Sequence, residues 1–155
     1  MTSACRILVD ADACPVKTEI VKVAERHGLE TVFVANQWLA LPRSPRARMQ
    51  VVSGAFDAAD DWIAEQAGPC DVVVTADIPL ASRCLKRGAQ VLGPAGKPFT
   101  DDNIGSALAT RELMSDLRAY GVGGGPPPFG PRDRSRFLEI LELSIRKAGD
   151  RARQS

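Results

Sequence analysis

Arg6-Ile7-Leu8-Val9-Asp10-Ala11-Asp12-Ala13-Cys14-Pro15-Val16-Lys17 decides how the rest of this 155-residue chain is read. The apolar run has no period-two alternation. It therefore suits a strand buried on both faces, the habit of parallel sheets covered by helices. The run ends in two carboxylates and in Pro15, a residue pre-shaped for the first position of a helix. In helix-flanked parallel sheets, ligands sit beyond the C-terminal strand ends, at the point where strand order reverses. Asp10 and Asp12 fall at that place. An Asp before a helix also serves as an ordinary cap, but one cap does not use two acids.

The same design recurs at Asp71-Val-Val-Val-Thr75-Ala76-Asp77-Ile78-Pro79: a β-branched run, an Asp where it ends, and a helix-starting proline. Working outward, Val16, Ile20, Val23 and Ala24 recur at helical spacing up to Gly28 and predict a helix over 15–27. His27 falls in its last turn, as a boundary residue favoured by the helix dipole. Strands are predicted at 31–35, 49–52, 71–75 and 90–92, giving five with the first. Leu80, Ala81, Cys84 and Leu85 mark a helix stopped by Gly88. Thr100 caps a long helix running to about residue 120, with Ile104, Leu108, Leu113 or Met114 and Leu117 turned inward. The Gly/Pro-rich stretch before Pro131 reads as a linker. Phe137, Leu141, Ile145 and Ala148 predict a final amphipathic helix with a basic start and a frayed Arg151–Arg153 tail. The expected organisation is a core over 1–121, a linker over 122–131, and a C-terminal helix over 132–150 that packs on the core.

Composition excludes several classes. The net charge of +1 gives no whole-molecule steering toward nucleic acid, so any basic surface must be local. No apolar run reaches bilayer length. The four cysteines form no Cys-x-x-Cys pair and there is a single histidine, which disfavours a zinc cluster. The first residues lack a basic segment followed by an apolar one, so a reducing, cytoplasmic setting with free thiols is expected. Cys14 lies where a helix start can activate a thiol, but Ile20 stands where a Cys-x5-Arg phosphatase loop needs arginine. Gly93-Pro-Ala-Gly96-Lys97 lacks P-loop spacing.

Two further clusters carry chemistry. Asp57, Asp60 and Asp61 share one face of the first turn of a helix, more acid than capping consumes. Residues 39–49 read as a loop stiffened by Pro42 and Pro45 that presents Arg43, Arg46 and Arg48, side chains suited to bidentate phosphate contact. If the strands ending at Asp10 and Asp77 are neighbours, then Asp10, Asp12 and Asp77 converge. Two carboxylates about 4 Å apart repel by roughly 4 kcal/mol at an effective dielectric near 20, so a proton or a cation must sit among them. All-oxygen ligands favour Mg²⁺ or Mn²⁺.

The strings VDADACPVK (9–17), FDAADDWI (56–63), DVVVTADIPLASRCLKRGA (71–89), NIGSALATREL (103–113) and GPPPFGPRDRSRF (125–137) resemble the YaiI/YqxD family of bacterial proteins. The family is grouped with PIN-like domains, so the resemblance implies a three-layer α/β/α sandwich around a mostly parallel five-stranded sheet. It also implies a metal-dependent nuclease, for which RNA or single-stranded nucleic acid is the expected substrate. Carried over by position, the metal acids are Asp10, Asp60 or Asp61, and Asp77. PIN nucleases usually carry another acid soon after the third, whereas Ile78-Pro-Leu-Ala-Ser82 follows here, which leaves a second-metal role to Asp12 or to no residue. Together these readings make Asp10, Asp12, Asp60, Asp61 and Asp77 the candidate catalytic set, with Asp10, Asp12, Asp61 and Asp77 as metal ligands. Lys17, Arg43, Arg46, Arg48, Thr75 and Arg134 are candidate substrate contacts, and Arg136 could extend the track.

Two rivals remain open. A hydrophobic strand ending in Asp-x-Asp, with a later strand ending in Thr, also describes haloacid-dehalogenase-type phosphatases. There Asp10 would be the nucleophile, Asp12 the acid/base, Thr75 the phosphate-binding residue, Lys86 or Lys97 the cation, and Asp101 with Asp102 the metal pair. A non-catalytic nucleic-acid binder is the other.

Overall fold

The computed structural model describes residues 5–12, 14–55, 57–119 and 129–154. It is an α/β fold in which a six-stranded sheet is flanked by five helices. Strand β1 (Arg6–Asp10) leads to α1 (Lys17–His27), β2 (Glu30–Ala35), β3 (Ala47–Val51), α2 (Ala58–Gln66), β4 (Val72–Val74), α3 (Ile78–Lys86), β5 (Gln90–Leu92), β6 (Pro98–Phe99), α4 (Ile104–Ala119) and α5 (Pro131–Gln154). Spatial order is β3-β2-β1-β4-β5-β6, parallel throughout except for β6. The chain winds one way from β1 to β3 and returns to place β4 on the other side of β1. The β1/β4 boundary is therefore the switch point, and it lies between the two Asp-terminated runs.

Alternate residues of the central strands face opposite layers, as a period-two pleat requires. Ile7, Val9, Phe33, Val72 and Val74 pack under α1 and α5, whereas Leu8, Val32, Val34 and Val73 pack under α2 and α3. This is why the runs show no alternation in sequence: both faces are dry. Helix α1 ends as predicted, with Gly28 at φ 68° and the N–H groups of Gly28 and Leu29 bonded to the carbonyls of Glu25 and Ala24. Helix α5 runs alongside α1 and buries Phe137, Leu141, Ile145 and Ala148. Its start touches the start of α1 through Arg134–Glu19 (3.1 Å), and farther along Glu142 takes Arg26 and His27 from the end of α1. Gly96 makes this docking possible. A Cβ there would lie 2.6 Å from the backbone of Arg136 and Phe137, and its φ of +89° favours glycine in any case.

Several expectations are corrected. The sheet has six strands: a two-residue antiparallel edge strand, β6, follows the turn at residues 93–97, and Pro98 is tolerated there because an edge needs fewer donors. Helix α1 starts at Lys17, with Val16 as its N-cap and Pro15 in the preceding turn. Strand β3 begins at Ala47, which takes Arg48 out of the loop. Leu113 and Met114 of α4 are exposed, and Leu117 lies outside the side chains described. Helix α5 continues to Gln154, and Arg151 donates to the Gly88 carbonyl oxygen (2.8 Å) where a frayed tail was expected. The linker over 122–131 falls mostly outside the described residues. Among the described residues no helix is long and apolar enough to cross a membrane.

Candidate functional site

The β1–β4 ladder pairs Ile7 with Val72, Leu8 with Val73 and Val9 with Val74. Carried one step further, the same register sets Asp10 beside Thr75. The Thr75 hydroxyl donates to Asp10 Oδ2 at 3.0 Å and accepts from the Asp77 N–H at 3.0 Å. Asp77 Oδ1 in turn accepts from the Leu80 N–H at 2.9 Å, so Asp77 is the N-cap of α3, with Pro79 in the first turn. One buried threonine thus couples the two strand-end acids and holds them at the switch point. Thr75 is 1% exposed.

Carboxylates dominate the charge around Asp10 and Asp60. Burial raises the Asp10 pKa; the Thr75 hydroxyl opposes the rise, and the charges of Asp12 and Asp77 add to it. Asp60, from the first turn of α2, is pushed up to about 6 by burial first, then by Asp77, Asp10 and Asp57, against a smaller opposing pull from Arg83. Three elements thus bring carboxylates near enough to feel one another: the end of β1, the start of α2 and the start of α3. Asp60, Asp61 and Asp77 line a cleft of about 270 Å³ whose walls also carry Arg83 of α3 and Arg111 of α4. Neither arginine stood out in the sequence. No motif marks them, and only the packing of α3 between α2 and α4 brings them to the acids.

The other candidates separate by sheet edge. Asp12 is exposed just past β1 and acts on Asp10 through its charge. Asp61 turns to Arg83 (2.9 Å), so Asp60 is the α2 acid whose titration is tied to Asp10 and Asp77. Lys17 lies at the start of α1, with its Nζ donating to the Cys14 carbonyl oxygen (3.2 Å). Arg134 lies at the adjoining start of α5, paired with Glu19 and placed over the Phe129 ring, 5.7 Å from its centroid. Arg136 is exposed two residues further on. Arg46 and Arg48 go elsewhere: Arg46 bonds the Gly28 carbonyl oxygen (3.2 Å) and Arg48 pairs with Glu30 (3.1 Å), both at the sheet edge opposite Asp10. Arg43 is exposed in the connecting loop. Cys14 is buried, and burial raises its pKa, contrary to activation by a helix start.

The donors that meet at the switch point are carboxylate oxygens, a set suited to hard cations. Among the described residues no three His, Cys, Asp or Glu side chains are grouped so that together they could hold a metal ion. One or two carboxylates, with waters and substrate phosphates completing the shell, is nevertheless a usual way of holding Mg²⁺.

A family model described as an uncharacterized YaiI/YqxD family matches residues 8–147. Among relatives, a UPF0178 protein of Brucella ovis is 61% identical over 141 residues, covering 90% of this chain and 88% of the relative. One from Rhodopseudomonas palustris is 59% identical over 143 residues, 92% of each chain. Another from Nitrobacter winogradskyi is 56% identical over 146 residues, covering 94% and 93%. No solved structure matches.

Proposed function

The chain belongs to the YaiI/YqxD family, and from the geometry of its acidic edge we propose that it is a divalent-cation-dependent phosphodiesterase cleaving RNA or single-stranded nucleic acid. One observation carries the reading: Asp10, Asp60 and Asp77 lie near enough at the switch point to feel one another's charge, and Asp60 is raised to about 6 by burial first and then by Asp77 and Asp10, more than Arg83 offsets. A cation is the natural counter-charge. Mg²⁺ or Mn²⁺, when bound, supplies Lewis acidity toward a phosphate oxygen and toward water. Asp10 and Asp77 would hold such an ion, with Asp12 as a further acid at the rim. Thr75 engages one oxygen of the Asp10 carboxylate, which would leave the other for the ion. Asp60, whose carboxyl is raised to about 6 by burial and by the neighbouring Asp77 and Asp10 without a cation, would be the general base. Lys17 and Arg134, at the starts of α1 and α5, together with Arg83 and Arg111 on the cleft wall, would contact flanking phosphates. The sparse aromatic content, 5%, gives little platform for reading bases by stacking.

The phosphatase alternative is less well supported. Its metal pair, Asp101 and Asp102, is exposed beyond β6. That strand lies three positions from β1, roughly 14 Å at about 4.8 Å per strand. The scheme also leaves Asp60 unused.

The test is a paired assay in Mn²⁺, comparing cleavage of labelled single-stranded RNA with phosphate release from a small monoester. The nuclease reading expects RNA cleavage that falls by at least about 100-fold in Asp10→Asn, the upper end of what removing a supporting ligand costs. Phosphate release with an aspartyl-phosphate trapped at Asp10 would replace it with the phosphatase. Retention of RNA on a filter without cleavage would leave a binding protein.

A further inference from the structure

The register that ends at Asp10 and Thr75 also runs in the other direction. Just before Ile7 and Val72, where the ladder begins, Arg6 and Asp71 form an ion pair at 3.3 Å, and Cys5 meets Cys70 of the turn that precedes β4. The two sulfurs are 2.9 Å apart. That is closer than the roughly 3.5–4.0 Å at which two carbon atoms pack, although sulfur is the larger atom. Neighbouring strands lie about 4.8 Å apart, inside the roughly 4.4–6.8 Å Cα separation that a disulfide spans. None of the four cysteines is in a disulfide. Cys5 and Cys70 are both half-buried, and together they line an open cleft of about 380 Å³ with Pro69 and Asp71. A small oxidant can therefore reach the pair. Cys14 and Cys84 are buried in the two core layers, one under α1 and the other in α3.

We propose that Cys5 and Cys70 are an oxidative modification site, closing to a reversible disulfide that staples β1 to the turn before β4. With oxidised glutathione as the oxidant, the Cys70 thiolate attacks one glutathione sulfur and expels the other half as a thiolate. Cys5 then loses its proton to solvent and attacks the Cys70 sulfur of the mixed disulfide, expelling the second glutathione. Two protein thiols give up two electrons and two protons, and one glutathione disulfide becomes two thiols. Burial, and then the hydrogen bond and charge of Cys70, push the Cys5 thiol up to about 12, and the exchange balances in the same way with either sulfur attacking first. Cys5 Sγ also lies 3.9 Å from the Ala148 carbonyl oxygen on α5, which holds the group in place for that second step. The bond would close a loop of 65 residues, the separation at which cross-linking restricts the unfolded chain strongly.

The experiment incubates the full chain with oxidised glutathione under native conditions. Thiol titration, intact mass, non-reducing peptide maps and thermal melting are then measured before and after reduction. The expected result is loss of two titratable thiols, a mass lower by two hydrogens, a map linking the Cys5 and Cys70 peptides within one chain, and a midpoint raised by several degrees that reverts on reduction. Cys5→Ser should instead retain glutathione on Cys70. The peptide map of the unmutated chain keeps the test valid if that variant folds poorly. Four thiols left titratable, a lasting glutathione adduct in the unmutated chain, or a covalent dimer through either cysteine would each overturn the proposal.

Discussion

Asp10 and Asp71 sit at opposite ends of the same two-stranded ladder and are treated in opposite ways. Asp71 is 6% exposed and takes both the Arg6 guanidinium (3.3 Å) and the Gly68 N–H (3.0 Å). Arginine matches the charge that burial isolates, as a buried carboxylate requires. Asp10 has a neutral hydroxyl in place of a guanidinium, and around it stand more carboxylates. One end of the ladder is built for folding. The other gathers carboxylates whose charges raise Asp10 and Asp60, a repulsion that a cation would relieve under the proposed function.

The contrast can be broken by exchanging the fates of the two ends. Asp71→Ala strands a half-buried arginine and should cost about 2–3 kcal/mol in denaturant unfolding. That is below the roughly 3–5 kcal/mol of a fully buried pair, because the Arg6 side chain remains 27% exposed. Asp10→Asn, by contrast, should leave stability without divalent ions equal or improved. If both substitutions destabilise alike, the two ends do not differ in kind.

Thr75→Val should cost about 1–2 kcal/mol, because it removes the donor to Asp10 and the acceptor for the Asp77 N–H while keeping the side-chain shape. Cleavage should fall more than stability does, which separates positioning from packing; equal losses would make Thr75 a purely structural residue. The smallest effect concerns Asp60. A carboxyl whose folded pKa is raised to about 6 contributes stability that is fully present below its unfolded pKa and is lost as pH rises through about 6. Asp60→Asn should therefore raise the melting midpoint relative to the parent at pH 8 without divalent ions, and the gap should close as pH falls toward 4. A gap independent of pH would remove Asp60 from the cluster.

Much of this frame was legible in the residues. Two β-branched or aliphatic runs, each ending in Asp before a proline, located the switch point, and Gly28 marked the end of α1. What the sequence withheld was mainly edge and phase. Arg46 and Arg48 follow the end of β2 closely in the chain, but residues 36–46 cross back over the sheet, so these arginines arrive at the opposite edge. Asp60 and Asp61 differ by one helical step of about 100°, which turns one toward the acids and the other toward Arg83. Strand β6 has two residues, one of them proline, too short for any periodicity to appear. The shared register of Cys5, Arg6 and Asp10 with Cys70, Asp71 and Thr75 is a property of strand pairing, and no local pattern encodes it.

The central claim is that the acids at the switch point await a cation, and the thermal midpoint of the unmutated chain and of Asp10→Asn across a Mg²⁺ titration at pH 7.5 tests it most directly. The account predicts a rise for the unmutated chain that approaches about 2.7 kcal/mol of added stability at one hundred times the dissociation constant, and no rise for Asp10→Asn. A midpoint of the unmutated chain that does not move with Mg²⁺, or one that moves equally in both proteins, would contradict it.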